Sequence, residues 1–466
     1  AALAGWDGAP GAPLGLLGRV KLSDQQLQLQ GVRITLDDHT ATADGMLNLA
    51  GDHTGSRLDC RLDIRDLARL GEVFDVVDLP SQPLQVALTL QPEGKSLAFD
   101  IDDGSLGAIR MKVNGRIADL DKPLGVDAEF LLRLPSLAGL GFLLPERELP
   151  DQPFQLQGHL VNERHQTRLD KVEAELGPLQ ASVDGTLGHE GNFDLQFAAG
   201  TPDASVLEGL LGWPLPDHSF SLTGQVTGNP SEFELDGFAA RLGDSVMGGD
   251  LKVVLADLTR LSGSLASEKL DLRPWHRGSE KETDAPAEPG REREFLFDDT
   301  PVIPPLSVGF DVDLQLDVKR LVVEKTYFQD VHAVVSLNPG GLTLCPFSWR
   351  GPAGGQVDGE LFLDVTGQMP RVDLKFQGSD IYLGLVAAEG QDPATFPPIE
   401  IDLALTGQGA TQRELASGLN GRLRWYTGSG LVASKGVDML FSDFITELFQ
   451  TLNPFAESNE YTQLDC

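Results

Sequence analysis

Residues 310–316 read Phe-Asp-Val-Asp-Leu-Gln-Leu, with apolar side chains at every second position and polar side chains between them. Successive side chains of a β-strand point to opposite faces of a sheet, so this period of two predicts a strand with one apolar face. The same alternation occurs at 84–90, 193–197 and 372–376. We therefore predict an all-β fold built on a mainly antiparallel sheet whose large apolar side chains share one face.

A doublet of Asp, Asn or Gly followed by Gly recurs along the chain. It stands at 44–45, 114–115, 184–185, 248–249 and 358–359, and its first three glycines are 70 residues apart. Such doublets favour the positive φ angles of tight turns, so we expect them to join antiparallel strands as hairpins. The regular spacing predicts an array of one β-rich unit, an architecture that commonly presents an extended surface.

Leu-Pro pairs form a second repeated landmark, and each follows a short Leu/Ala/Gly segment that begins with Ser or Asp. The segments are 66–71, 136–141 and 203–212, the pairs are 79–80, 149–150 and 215–216, and Pro-Pro pairs at 304–305 and 397–398 resemble two further corners. Ser and Asp suit the first position of a helix. We predict a brief helix and a corner in each unit.

The polar stretch 275–294 has no apolar periodicity and is predicted to be a solvated surface loop. It divides the chain into an N-terminal set of units of about 70 residues at 1–274, a loop at 275–295, and a C-terminal set at 296–466.

Near the end of the chain the apolar period changes to about 3.6, which predicts an amphipathic helix at 435–452. Its apolar stripe includes Val437, Leu440, Phe441, Phe444 and Leu448. Because its polar side carries acids and one Lys, we expect this helix to cover the apolar face of the sheet rather than lie on a membrane.

The charge balance excludes some partners. The chain has 36 Lys and Arg against 70 Asp and Glu, a formal net charge of −34. Nucleic-acid binding requires clustered cations, and an anionic membrane face would repel this chain, so neither is expected as a tight partner.

Residues that carry out covalent chemistry do not form a recognisable set. The eight histidines lack metal-ligand spacing, the Asp pairs at 37–38, 102–103 and 298–299 lack the spacing of a calcium loop, and Ser245 lacks the glycine of a nucleophile elbow. We predict that the protein is not an enzyme and has no catalytic, metal or cofactor residues. The distant Cys60, Cys345 and Cys466 are interpreted as core residues rather than as disulfides.

The chain contains no apolar run of about 18 residues or more and starts without Met, so we expect any anchoring segment to lie outside it.

A sheet with one apolar face must bury it, either by packing on itself as a sandwich or by bending into an elongated, taco-like groove that accepts acyl chains. Short helices are too few to cover the face. The predicted lining residues of such a groove are Leu84, Val86, Leu88, Leu90, Phe193, Leu195, Phe197, Phe310, Val312, Leu314, Leu316, Val372, Leu374 and Phe376.

The pattern of small and apolar residues at 220–237, followed by 249–253, 261–265 and 267–272, resembles AsmA-like proteins, the relatives of TamB. A second block, from 297–301 through 359–363 to Ala-Thr-Gln-Arg-Glu-Leu-Ala-Ser-Gly-Leu-Asn-Gly at 410–421, agrees with this resemblance. The match is best over about 200–460.

The resemblance implies a periplasmic protein anchored to the inner membrane of a Gram-negative bacterium, with a lipid-lined β-groove. Its implied partners are phospholipid, the inner membrane through a segment absent from this chain, and outer-membrane or periplasmic proteins. Its implied role is phospholipid transport or outer-membrane assembly.

Two other functions are compatible with the sequence. A structural or adhesive array would have a fully packed core, and a hydrolase would require Ser, His and Asp residues to meet in space.

Overall fold

The computed structural model describes residues 13–49, 53–73, 79–120, 124–141, 149–208, 215–276, 310–323, 326–351, 354–367, 369–382 and 398–428. These residues are nearly all in strands, with a few short helices, which confirms the predicted all-β class. The strands are β1 (Leu14–Ser23), β2 (Gln26–Leu36), β3 (His39–Asn48), β4 (Arg57–Ile64), β5 (Leu84–Glu93), β6 (Ser96–Leu106), β7 (Ile109–Asp119), β8 (Leu124–Leu134), β9 (Phe154–Asn162), β10 (Gln166–Leu176), β11 (Leu179–Gly188), β12 (Phe193–Thr201), β13 (Phe220–Asn229), β14 (Glu232–Leu242), β15 (Ser245–Val254), β16 (Thr259–Asp271), β17 (Phe310–Val323), β18 (Thr326–Asn338), β19 (Gly341–Arg350), β20 (Gln356–Asp364), β21 (Arg371–Tyr382), β22 (Pro398–Gln408) and β23 (Asn420–Thr427).

The chain divides into two compact units, residues 1–227 and 228–466. In unit 1 every strand from β1 to β12 pairs antiparallel with the next one in sequence. Most of these connections are tight turns, which place each strand antiparallel beside its predecessor, and the two longer ones, from Ile64 to Leu84 and from Leu134 to Phe154, return the chain to the same neighbouring position.

Unit 2 is also a consecutive meander, with one exception to the antiparallel pattern. Strands β16 and β17 run parallel, with Thr259 beside Phe310 and Asp271 beside Val322. The remaining printed pairs from β14 to β23 are antiparallel. A parallel pair requires a long return connection, which the chain between Asp271 and Phe310 supplies. Most of the predicted 275–295 loop lies outside the described residues.

The predicted short helices are present in unit 1. An α-helix spans Leu67–Val73, and 3₁₀ turns span Leu137–Leu140 and Ala204–Leu207. Their first turns are capped as expected, since Ala68 N, Ala138 N and Ser205 N donate to Asp66 Oδ1, Ser136 Oγ and Asp203 Oδ1 at 3.1, 3.2 and 2.9 Å.

The segments after the Leu-Pro pairs close these corners. Leu67 N donates to the Gln82 carbonyl at 3.0 Å, and Leu137 N donates to the Gln152 carbonyl at 2.8 Å. Each bond therefore ties the start of a short helix to the residues just before the next strand. Of the two more divergent corners, 304–305 lies outside the described residues, and Pro398 is the first residue of β22.

The Asp-Gly and related doublets are not hairpin turns, which corrects the expectation from sequence. Asp44-Gly45, for example, lies in the middle of β3, and the other four doublets lie inside β7, β11, β15 and β20. The β1–β2 turn is instead Asp24-Gln25, with φ of 40° and 71°. Gly45 has φ of 139°, and a Cβ there would collide with the Arg57 carbonyl oxygen. The glycine is required by close approach of the neighbouring strand rather than by a turn.

β-Bulges interrupt several pairs at related positions. Between β10 and β11 the register passes from Leu169–Gly185 to Val172–Val183, so two residues of β10 face one of β11. In this bulge the second of the two residues, Lys171, has a positive φ of 49°. Bulges bend a strand and increase its twist, so they give the sheet of each unit local curvature.

Candidate functional site

An unbroken row of apolar and glycine residues crosses unit 1. Cross-strand partners lie on the same face of a sheet, so the pairing registers trace the row strand by strand. From β1 to β12 it is Val20, Leu29, Gly45, Leu58, Leu90, Phe99, Gly115, Ala128, Leu160, Leu169, Gly185 and Leu195. No charged or hydrogen-bonding side chain interrupts this row over the twelve strands.

Unit 2 has two such rows from β14 to β23. One contains Leu235, Leu251, Gly263, Leu314, Val335, Leu344, Leu361, Leu374, Leu405 and Gly421, and the other contains Phe238, Gly249, Leu265, Leu316, Ala333, Phe347, Gly359, Phe376, Leu403 and Leu423. The candidate functional site is this apolar face, considered separately in each unit.

The doublets help to separate the two faces. Gly45, Gly115 and Gly185 lie in the apolar row, four strands apart, whereas the preceding residue of each doublet points to the opposite face. Asp184, for example, accepts a hydrogen bond from the Lys171 amide at 2.7 Å. The 70-residue repeat therefore places a residue without a side chain on the apolar face and a polar residue behind it.

The predicted lining residues of unit 1 are mostly half-buried. On β5, Leu84, Leu88 and Leu90 are half-buried and Val86 is 8% exposed. On β12, the predicted lining residues Phe193, Leu195 and Phe197 are all half-buried. At the other end of the row, β1 exposes its apolar side chains further, with Leu16 at 76%. The apolar face of unit 1 thus retains accessible surface.

The predicted lining residues of unit 2 divide into two groups. On β17, Phe310 is exposed at 42%, Leu314 and Leu316 are half-buried, and Val312 is buried. On β21, Val372, Leu374 and Phe376 are buried at 4%, 4% and 8%. Together with residues of β20 and β22 they form a cluster of buried hydrophobic side chains.

Leu415, which was not among the predicted lining residues, covers part of that cluster. It lies in the short helix Gln412–Ser417 and is 1% exposed. Thr411 caps this helix by accepting from Glu414 N at 3.2 Å, and Glu414 Oε2 accepts in turn from Ala410 N at 2.8 Å. A Thr followed three residues later by Glu is the capping-box signal that would have identified this helix from sequence.

Charged side chains of the opposite face pair with one another. Lys252 Nζ lies 2.6 Å from Glu232 Oε1 and 3.1 Å from Glu234 Oε1, and hydrogen bonding to Glu232 and then to Glu234 raises the pKa of Lys252. The half-exposed Arg273 donates to the buried carboxylate of Asp271 at 2.5 Å, and this bond lowers the pKa of Asp271. The charged side chains of this face are therefore paired locally, on the side of the sheet away from the apolar rows.

Ser245 has a structural environment. Its hydroxyl oxygen accepts a hydrogen bond of 2.9 Å from the backbone amide of Asp271, which joins β15 to β16. The Asp271 side chain is bound to Arg273 rather than to a histidine. Ser245 therefore contributes to strand pairing.

Cys60 lies on the apolar face of unit 1, opposite Leu88 on β5 and Ala43 on β3. It is half-buried, and burial raises the pKa of its thiol, with the nearby Asp59 carboxylate adding to the increase. The rate at which this thiol is alkylated can therefore report whether the apolar face around it is covered.

The predicted amphipathic helix at 435–452, with its five apolar stripe residues, lies outside the described residues. Among the helices of the described ranges, none has the length and hydrophobicity needed to cross a bilayer.

Comparison with protein families gives one match, in which the AsmA family covers residues 220–447. No curated protein and no solved structure matches the chain. The family match confirms the resemblance suggested by the residue patterns, over nearly the same range as the sequence predicted.

Proposed function

We propose, from the premise that residues 220–447 are an AsmA-family region, that this chain holds lipid acyl chains against the apolar face of its sheets. An AsmA-family region and a large β-sheet fit a role in lipid transport or assembly of the bacterial envelope. More specifically, we propose that the protein helps to move phospholipid between the inner and outer membranes, or supports outer-membrane assembly, without acting as an enzyme.

The observation that carries the proposal is the apolar row of unit 1. It crosses twelve strands without a polar side chain, and residues such as Leu88 and Leu195 on it or beside it are only half-buried. Leaving about 1,000 Å² of apolar surface in water costs on the order of 25 kcal/mol at about 25 cal/mol per Å². Acyl chains remove that surface from water and so offset a cost larger than the net stability of most domains.

The chemistry of the face selects the kind of ligand. It presents aliphatic and aromatic side chains and glycines, with no charged group along the traced rows, so it can bind a hydrocarbon chain of variable length but cannot recognise a headgroup by hydrogen bonding. We propose that the protein acts in the periplasm, anchored to the inner membrane, with phospholipid as its cargo and envelope proteins as partners.

A second candidate, a structural array with a packed core, is favoured by one specific observation. The β20–β22 region of unit 2 is buried, with Val357, Leu374 and Leu403 exposed by only 2%, 4% and 3%. A protein whose whole apolar face resembled this region would bind no lipid.

Alkylation of Cys60 separates the two candidates. In a variant whose other two cysteines are replaced by serine, oleic acid should slow the reaction of Cys60 with a maleimide, because acyl chains would cover the Leu88 side of the sheet. The matched control places the thiol on the opposite face, as Ala87→Cys in a Cys60→Ser background, where labelling should not change. Unchanged labelling of Cys60 together with no phospholipid in an organic extract of the purified protein would favour the structural array.

A further inference from the structure

One part of the apolar face in unit 2 is closed by its own side chains. Phe347 and Trp349 of β19 stack with ring centroids 5.6 Å apart and planes inclined by 11°. The centroid of the Trp349 ring also lies 5.8 Å from that of Phe376 and 5.8 Å from that of Phe328, which it meets edge-on. Aromatic side chains in this arrangement fill volume with little mobility.

Gly359 makes room for this aromatic group. It pairs directly with Phe347, and a Cβ at position 359 would collide with the Phe347 ring. The ring therefore lies over the β20 backbone, which carries no side chain at this position. The glycine of the last doublet is the reason that the aromatic side chains can fold down onto the face.

Leu415 covers the same face at its β22 end. It packs on β22, where a Cβ at Gly407 would lie 2.9 Å from Leu415 Cδ1. The capping bonds of Thr411 and Glu414 and the bond from Gly418 N to the Glu414 carbonyl at 3.0 Å fix its helix. Leu415 and Trp349 both pack on the buried residues of β20–β22.

We infer that this closed segment, defined by Phe347, Trp349, Phe376 and Leu415, excludes acyl chains from β20–β22, so that lipid binds only at half-buried residues of the face, which lie in unit 1 and, between buried residues such as Val318, on β14–β18. This inference rests on the proposed lipid-binding function and adds the residues that limit where the lipid lies. A chain of methylene groups needs unoccupied apolar surface, and the buried cluster residues of β20–β22, which are exposed by only 2–9%, offer almost none.

The closed segment has a further consequence for lipid movement. A lipid that travels along the apolar face of unit 2 must leave the face before β20 or displace Trp349 and Leu415. Either displacement would expose a cluster of buried apolar side chains to water, so the segment acts as a stop for acyl chains.

Quenching of tryptophan emission by a brominated fatty acid tests the inference, because bromine quenches only on contact. In the full chain, a first variant keeps Trp349 and replaces the other four tryptophans with Phe. A second variant carries Phe197→Trp on β12 of unit 1, with Trp349→Phe and the same four replacements. We expect 9,10-dibromostearate to reduce the emission of Trp at position 197 and to leave that of Trp349 unchanged.

The outcomes separate the inference from the function on which it rests. Loss of emission at both positions, or at Trp349 alone, would overturn the closed segment while lipid binding stands. No loss at either position would overturn the proposed function itself.

Opening the segment provides a second measurement. Leu415→Ala in the Trp349-only protein should make Trp349 sensitive to the brominated acid, whereas Leu423→Ala should not, since Leu423 lies on the same face in β23 and is already 48% exposed. Circular dichroism must show that both variants retain the strand content of the parent. A folded Leu415→Ala protein whose Trp349 remains unquenched would remove Leu415 from the segment.

Discussion

Asp184 Oδ1 accepts a hydrogen bond of 2.7 Å from the backbone amide of Lys171, thirteen residues earlier in the chain. The same bond, at the same sequence separation, joins Asp44 to Gly31 at 2.5 Å and Asp250 to Gly237 at 2.8 Å. Each acceptor lies opposite a β-bulge and binds an amide that the bulge removes from the strand ladder. The repeated Asp thus fixes the bulge.

The first prediction removes this acceptor. Asp184→Ala leaves the Lys171 amide without its partner, and we expect the urea midpoint to fall by the equivalent of about 1 kcal/mol. Asp184→Asn keeps an acceptor oxygen and should retain most of the stability. Glu175→Ala, which removes an exposed carboxylate from the same face, is the control, and an equal loss in that variant would argue against a specific role for the Asp184 bond.

The second prediction concerns two glycines of neighbouring strands, Gly31 and Gly45. Gly31 has φ of 56° with open space around it, and Lys171 takes the same bulge position with φ of 49°. Gly31→Lys should therefore cost at most about 1–2 kcal/mol. Gly45→Ala should cost more, because it adds a clash with the Arg57 carbonyl to an unfavourable φ of 139°. Thermal unfolding measures the difference, and a smaller loss in Gly45→Ala would contradict the register of β3 and β4.

These positions show what the sequence could predict. The period of two in 310–316 and its counterparts predicted the strands and their apolar face, because side-chain alternation depends only on local geometry. The Ser and Asp caps of the short helices were equally local. The doublets were misassigned as turns because an Asp-Gly pair looks the same in sequence whether its glycine lies in a hairpin turn or where a neighbouring strand approaches closely. Asp184 and Lys171 are linked only once the register is known.

The functional face was predictable in part for the same reason. The parity of Leu314 and Phe376 placed them on one face, but nothing local indicates that Leu314 is half-buried while Phe376 is 8% exposed. That difference depends on Trp349, which comes from another strand, and on Leu415, which comes from a helix. The parallel pairing of β16 and β17 was likewise beyond a reading of local patterns.

The third prediction is a pH dependence of unit 1 at His159. This side chain of β9 bridges two strands, with Nε2 2.7 Å from Asp127 Oδ1 and Nδ1 3.3 Å from Asp170 Oδ2. Hydrogen bonding to Asp127 is the largest cause of a raised His159 pKa, and burial acts against it. The other charged groups facing it are Glu129 on β8 and Arg168 on β10.

A raised pKa in the folded state means that protonated His159 stabilises the fold. The contribution is fully present below the unfolded-state pKa of about 6.5 and is lost as the pH rises through the higher folded-state pKa. The urea midpoints of wild type and His159→Gln should therefore differ more at about pH 5.5 than at about pH 8.5. A gap that is constant or grows with pH would contradict this assignment.

The last prediction places a charge on the half-buried part of the face and compares it with its neighbour on the other side. Leu314 lies between Gly263 and Val335 in the apolar row of unit 2, whereas the adjacent Gln315 is exposed on the polar face. Leu314→Asp should weaken oleic acid binding by at least about tenfold, equivalent to about 1.4 kcal/mol, because the carboxylate must be desolvated where the acyl chain lies. Gln315→Asp should bind as wild type does. Circular dichroism separates lost binding from lost folding, since in a fully packed core Leu314→Asp would unfold the sheet, while on a lipid-binding face the strand content survives and only the fatty-acid titration changes.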